Sequence, residues 1–158
     1  MATKPVNDNV IDISLSVTNK KRFRIDGDDT RIIELNTSDI NVLGRLQEAY
    51  TKLMDMANNA STILEDIDTD TDEGVAKLVS ALKDIDNQMR ELIDYIFDSK
   101  ISDICAPDGS MYDPFNGQFR FEHIIETLST LYETNFDTEF KKMARNVRKH
   151  TDKYVKKD

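Results

Sequence analysis

Residues 23–35 have the sequence FRIDGDDTRIIEL, and this stretch decides how the N-terminal part of the chain folds. Phe23 and Ile25 precede an Asp26-Gly27 pair, and the apolar run Ile32-Ile33 follows it. An Asp-Gly pair between two apolar runs is a strong short-range signal for a β-hairpin. A two-stranded hairpin is only marginally stable in water, so we expect it to pack on another element.

The residues upstream of this stretch also alternate in polarity. Apolar side chains at Ile11, Ile13, Leu15 and Val17 are separated by polar ones, a period of two that predicts a half-buried strand. The sequence therefore predicts a two- or three-stranded antiparallel element over residues 10–35. Residues 1–9 are polar, lack the apolar region of a signal peptide and are predicted to be a flexible N-terminus.

Downstream of the hairpin, apolar residues recur every three or four positions, which predicts helices over 38–67 and 72–98. Thr37 or Ser38 is a candidate N-cap for the first helix, and Thr71 or Asp72 for the second. A short acidic connection between the two predicts an antiparallel helical hairpin. The predicted apolar stripe of the first helix is Ile40, Leu43, Leu46, Tyr50, Leu53, Ala57, Ala60, Leu64 and Ile67.

The C-terminal half contains a long loop and further helical patterns. Residues 99–118 include Pro107, Pro114, Gly109 and Gly117, and a loop of this length is usually functional or mobile. A third helix is predicted over 119–134, with a bend at 134–137 and a basic helix or tail over 141–158. The predicted fold is α+β, mainly α: one domain over 10–140, with an N-terminal β-hairpin followed by a three- to four-helix bundle.

Charge is distributed unevenly along the 158 residues. The net charge is −9, yet residues 141–158 contain eight Lys or Arg and two acidic residues, so this end carries +6 and the rest −15. An acidic body argues against nucleic acid as a partner, while the basic end suits a solvated helix face, an acidic protein surface or, least well, nucleic acid. One cysteine and no long apolar run predict a cytoplasmic protein without a disulfide or a membrane helix.

Motifs for catalysis, metals and cofactors are weak. The acidic run Asp66–Asp72 lacks the Gly and Glu spacing of an EF-hand loop. His123 and His150 are too few for a zinc site, and nothing in the sequence fixes the geometry of Cys105 and His123 for nucleophilic catalysis. No phosphate-binding or dinucleotide motif occurs. We therefore predict a protein that is not an enzyme and binds neither a cofactor nor a metal.

The order of parts resembles a known family. The hairpin around 23–28, a long helix beginning NVLGRLQEAY (41–50), a second helix ending LIDYIFD (92–98) and an amphipathic helix FEHIIETL (121–128) follow one another. This layout resembles the small tail-assembly chaperones of long-tailed bacteriophages that infect Gram-positive bacteria. The resemblance extends from about Ile11 to Ala144 and consists of layout without a diagnostic motif.

The resemblance implies a protein of the host bacterial cytoplasm that binds the phage tape-measure protein and keeps it soluble during tail assembly. Two alternatives stay open: a phage protein that binds a host defence protein as inhibitor or trigger, and a minor structural protein of the virion. The heptad-like stripes are compatible with an intramolecular bundle and with self-association alike. Candidate partner-binding residues are Tyr50, Leu53 and Met54 on the first helix, or Met111, Tyr112 and Phe115 in the long loop.

Overall fold

The computed structural model describes residues 9–15, 20–66 and 70–155, with side chains as far as residue 146. Strands β1 (Lys20–Ile25) and β2 (Asp28–Asn36) form the antiparallel hairpin that the sequence predicts. Asp26 and Gly27 form its two-residue turn with φ of 52° and 71°, the positive pair of a type I′ turn.

The strand predicted over residues 11–17 is not observed. Residues 10–15 adopt no regular structure, and the side chains of Ile11, Ile13 and Leu15 are 86%, 74% and 78% exposed. Alternating polarity favours an extended conformation, but a strand also needs a neighbour to pair with, and β1 pairs with β2. Val17 lies outside the described residues, as do residues 1–8 of the predicted flexible N-terminus.

Helices α1 (Val42–Glu65) and α2 (Asp72–Phe97) form the predicted antiparallel hairpin. The Thr71 side chain caps α2 by accepting a hydrogen bond from the Gly74 amide at 3.0 Å, which confirms one of the two predicted caps. Near the other end of the pair, Arg45 Nε donates to the Ile96 carbonyl oxygen at 2.9 Å. The acidic connection therefore lies at the far end from the β-hairpin.

Helix α1 starts later than predicted, and its buried face matches the predicted stripe only in part. Neither Thr37 nor Ser38 is its N-cap, because residues 36–41 form turns in which the Asn41 amide donates to the Asp39 carboxylate at 3.0 Å. Ile40, Leu43 and Leu64 of the predicted stripe are about half exposed, and Ile67 lies outside the described residues. Leu53, Ala57 and Ala60 of the stripe are buried, and so are Val42 and Ala49, which the stripe does not include. Small side chains face inward because they let neighbouring helices approach closely.

The long loop after α2 contains more structure than expected. A single helical turn, α3 (Ser102–Cys105), is followed by a two-stranded ribbon of β3 (Pro114–Phe115) and β4 (Gln118–Phe119). Asn116 and Gly117 make the turn of this ribbon with φ of 50° and 80°. The segment is therefore an ordered connection that leads directly into the last helix.

The last helix, α4 (Arg120–Val155), is continuous and includes most of the predicted basic tail. The bend predicted at 134–137 is absent. The Thr134 hydroxyl donates to the Thr130 carbonyl oxygen and Thr138 donates to Thr134, so both threonines bond within the helix. Phe136 packs between the rings of Tyr132 and Phe140, which also favours continuation of the helix.

A single core joins the elements. It contains Ile33 and Leu35 of β2, Leu53 and Ala57 of α1, Met89, Ile93 and Ile96 of α2, Ile101 and Met111 of the connection, and Phe121, Ile125, Leu128 and Tyr132 of α4. The fold class predicted from the sequence is confirmed: a mainly α protein with a small N-terminal β-hairpin.

Tyr132 offers a test of this core. Its side chain is 2% exposed, and its hydroxyl has no hydrogen-bond partner among the described residues. We expect Tyr132→Phe to raise the free energy of unfolding by about 1 kcal/mol in urea titrations near pH 7, because it removes a buried polar group without a partner. Unchanged or lower stability of the variant would contradict this placement.

The same variant should show a pH signature. Burial raises the pKa of Tyr132 from 10.0 to about 12, so between these values the unfolded chain releases the proton while the folded chain retains it. Deprotonation of the unfolded state lowers the stability of the wild type as pH rises through this range. We expect the stability gain of Tyr132→Phe to increase above pH 10, measured by urea unfolding at pH 9 and pH 11.

Candidate functional site: a cleft beside a clamped loop

The connection between α2 and α4 is held by Arg90, whose side chain is 12% exposed. Its Nε donates to Asp86 at 2.8 Å, and its two terminal nitrogens donate to the Asp103 carboxylate and to the carbonyl oxygens of Ala106 and Gly109 at 2.8–3.0 Å. Burial by itself lowers the pKa of Arg90, but the hydrogen bonds to Asp86 and Asp103 outweigh it and raise the pKa. Arg90 therefore remains charged while it binds three parts of the loop.

Two carboxylates of α2 hold the loop backbone from the other direction. Asp94 accepts hydrogen bonds from the Ile101 and Ser102 amides at 2.9 and 2.8 Å. Asp86 accepts one from the Met111 amide at 2.7 Å, in addition to its bond with Arg90. Buried backbone amides need partners, and here carboxylates satisfy them where regular structure cannot.

The β-hairpin and α4 hold the loop from outside. Arg31 of β2 donates to the Ile104 and Cys105 carbonyl oxygens at 3.0 and 3.1 Å. Arg120 donates to the Asp108 carbonyl oxygen. Gly109 has a φ of +78°, and a Cβ at this position would meet the side chains of Asp113 and Arg120. The loop is thus fixed by three arginines from three different elements.

The loop forms one wall of an open cleft of about 260 Å³. The opposite walls come from the turn of the β-hairpin and from the first turns of α4. The lining residues are Arg24, Ile25, Asp26, Cys105, His123, Ile124, Thr127 and Leu128. An adjoining depression shares Asp26, Cys105, His123 and Ile124 and ends at Phe115, whose ring lies 4.8 Å from that of His123.

The structure separates the six candidate partner-binding residues. Leu53 and Met111 are 0% exposed and belong to the core, so their assignment to a binding surface is corrected. Burial follows from packing for Leu53 and, for Met111, from the bond between its amide and Asp86. These two residues therefore cannot contact a partner while the chain is folded.

The remaining candidates differ in exposure. Tyr112 is half-buried, and its hydroxyl donates to the Leu82 carbonyl oxygen at 3.3 Å. Met54 is half-buried, and Tyr50 is 37% exposed with its hydroxyl donating to Glu122 at 3.1 Å. Phe115, 43% exposed at the cleft, is the predicted loop residue that is best placed to contact a partner.

Sequence analysis did not identify the cleft itself. Nothing in the sequence fixes the position of Cys105 relative to His123, yet both side chains line this cleft, together with Ile25 and Leu128. No sequence signal links these positions, because they come together only when α4 packs against the hairpin. The single usable clue was the exposed aromatic Phe115 in a long loop.

The chemistry of the cleft is mainly apolar. Burial raises the pKa of the Cys105 thiol to about 11, so the thiol is protonated near neutral pH and is a weak nucleophile. Within the residues that the structure describes, no group of three or more His, Cys, Asp or Glu side chains is arranged to hold a metal ion. The cleft can accept an apolar side chain between charged rims provided by residues such as Arg24 and Asp26.

Over the described part of the chain, no helix is long and apolar enough to span a bilayer. Comparisons of the sequence with protein-family models and with curated proteins, and of the fold with solved structures, give no match.

The role of Arg90 in holding the loop can be tested by mutation. We expect Arg90→Met to lower the free energy of unfolding by about 2–3 kcal/mol, because the part-buried Asp86 carboxylate loses its charged hydrogen-bond donor. Hydrogen exchange at the Ile101, Ser102 and Met111 amides should accelerate. Lys77→Met is the matched control, since its 3.9 Å pair with Glu73 is exposed, and should change stability by less than about 0.5 kcal/mol. Equal effects of the two variants would show that Arg90 does not hold the loop in place.

Proposed function

We propose that this protein acts by stoichiometric protein binding, as a phage tail-assembly chaperone that holds the tape-measure protein in solution. One observation carries the binding role: an apolar cleft with an exposed aromatic residue, Phe115, at its edge and a rigid loop as its wall. The identification of the partner rests on the resemblance in layout. The partner site is the cleft between the β-hairpin turn and the start of α4.

The cleft has the features of a small protein-binding site. Ile25, Ile124 and Leu128 provide apolar walls, and charged residues lie around them. Protein interfaces commonly combine an apolar centre with a polar rim, and an aromatic anchor carries much of the binding energy. A prearranged wall also lowers the entropy lost on binding, because the loop does not need to be ordered by the partner.

The proposal fits the chemistry of the proposed partner. A long helical protein that has not yet assembled exposes rows of apolar side chains, which associate with one another in water. A cleft that accepts one or two such side chains shields them, while the net charge of −9 keeps the complex in solution.

Phe115→Ala tests the cleft directly. We expect it to weaken binding to the tape-measure protein about tenfold, measured by calorimetry with a soluble tape-measure fragment, because it removes an anchor side chain. Tyr95→Ala is the matched control: Tyr95 is 45% exposed but lies on α2 outside the cleft, and its loss should leave affinity unchanged. Phe115 is a sharper target than Tyr112, whose half-buried ring also stabilises the fold.

The alternative surface on α1 gives the opposite pattern. If Tyr50→Ala weakened binding while Phe115→Ala did not, the site would lie on α1 and the cleft proposal would be wrong. The chaperone role is tested separately by co-expression. The chain should move the full-length tape-measure protein of the same phage into the soluble fraction, and no change in its solubility would reject this role. Capture of a host defence enzyme in place of the tape-measure protein would also reject it.

A further inference from the structure

The second half of α4 extends beyond the core. All side chains from 137 to 146 are exposed, including the apolar Phe140 and Met143, which are 52% and 57% exposed. They lie one turn apart on the helix and therefore share a face. Lys141 and Lys142 pair with Asp137 and Glu139 of the preceding turn, but from residue 143 to Val155 basic residues outnumber acidic ones. We call residues 137–155 the basic arm.

The connecting end of the α1–α2 hairpin has the opposite charge. Residues 65–73 contain six Asp or Glu and no Lys or Arg. Leu64, Val75 and Val79 are 47%, 38% and 58% exposed there. A groove of about 390 Å³ runs beside them and is lined by the end of α1 and the start of α2, with Ile63, Leu78 and Ala81 as its apolar residues. We call residues 62–66 and 70–81 the acidic tip.

The arm and the tip lie at opposite ends of the molecule. The Tyr50 ring is 6.1 Å from that of Phe121 at the start of α4, and Asn135 donates to the Thr37 carbonyl oxygen, so α4 runs antiparallel to α1. Beyond Tyr50, α1 continues for about 22 Å towards the tip; beyond Asn135, α4 continues for about 30 Å in the other direction. The arm therefore cannot fold back onto the tip of its own chain.

We propose that the basic arm of one copy binds the acidic tip of a second copy, so that the protein associates head to tail. The two surfaces are complementary in both respects that the structure describes. Each carries exposed apolar side chains, and their charges are opposite. In this arrangement the arm lies along the groove between α1 and α2 as a third helix and packs against its apolar residues Ile63, Leu78 and Ala81.

A contact between the arm of one copy and the tip of another fits these observations better than a symmetric contact of two arms or of two tips. Two arms facing each other bring together like charges, and so do two tips. Head-to-tail contacts repeat with each added copy. They produce open chains, whose length rises with protein concentration, or closed rings. This inference does not depend on the cleft, which lies beside the first turns of α4.

Sedimentation velocity of the full chain over a range of concentrations tests the proposal. At about 50 mM NaCl, the mean sedimentation coefficient should rise with concentration. Raising NaCl to about 500 mM should weaken association at least about tenfold, since salt screens exposed charges. A chain that stays monomeric at about 0.5 mM protein in low salt would overturn the inference.

Charge reversal at each surface identifies the contact. The triple variant Lys141→Glu/Lys142→Glu/Arg145→Glu makes the arm acidic, and Glu65→Lys/Asp66→Lys makes the tip less acidic at a helix C-terminus, where lysine is favourable. Each variant alone should associate at least about tenfold more weakly than wild type. Mixing the two should restore association between unlike copies, because the unchanged basic arm of the tip variant then meets the unchanged acidic tip of the arm variant.

Controls separate this contact from general effects. Lys20→Glu/Lys52→Glu/Lys100→Glu changes net charge by the same amount as the arm variant but at exposed positions elsewhere, and should associate like wild type. Phe140→Ser/Met143→Ser should weaken association without changing charge. Circular dichroism should show all variants folded. If the arm variant still associated, or if the mixture of the two reversed variants did not, the head-to-tail contact would be wrong.

Discussion

The part-buried Asp86–Arg90 pair on α2 is the interaction on which the rest of the structure depends. A guanidinium group offers five donors in a fixed plane, and here it meets one helix carboxylate and the backbone of an irregular loop. The loop has little regular structure to satisfy its own carbonyl groups. Without Arg90 the part-buried Ala106 carbonyl group would lose this partner, and the loop that leads into α4 would lose one of its three arginine contacts. The cleft exists because this loop is fixed.

The sequence predicts the local elements well where the signal is short-range. Asp26-Gly27 fixes the hairpin turn, and Thr71 caps α2, because both depend only on adjacent residues. The buried face of α1 was predicted in part. Leu53, Ala57 and Ala60 are buried as expected, whereas Leu43 is exposed and Ala49 is buried, because large side chains dominate a periodicity pattern while the close packing of helices selects small ones. The strand at residues 11–17 failed for a related reason: alternation describes a strand but does not supply its partner.

The candidate site was less predictable than the fold. Phe115 is exposed, as predicted for a partner-binding residue. Leu53 and Met111 were predicted to bind a partner as well, but both lie in the core. What separates them is tertiary: Met111 is drawn inward by the bond from its amide to Asp86, and Phe115 lies in a two-residue strand at the surface. The sequence shows that basic residues are concentrated at one end of the chain and acidic residues elsewhere. Which charged surfaces can meet depends on the direction of α4, which only the three-dimensional arrangement gives.

The contact between α4 and the N-terminal hairpin also affects how the chain folds during its synthesis. Lys21 and Thr37 bond to Asn135, which lies 114 and 98 positions further along the chain. At ribosomal rates, about 5–20 s pass between the synthesis of Thr37 and that of Asn135. During this interval the hairpin lacks the helix to which it bonds in the folded chain. Folding of this chain on the ribosome is therefore completed late, by its last helix.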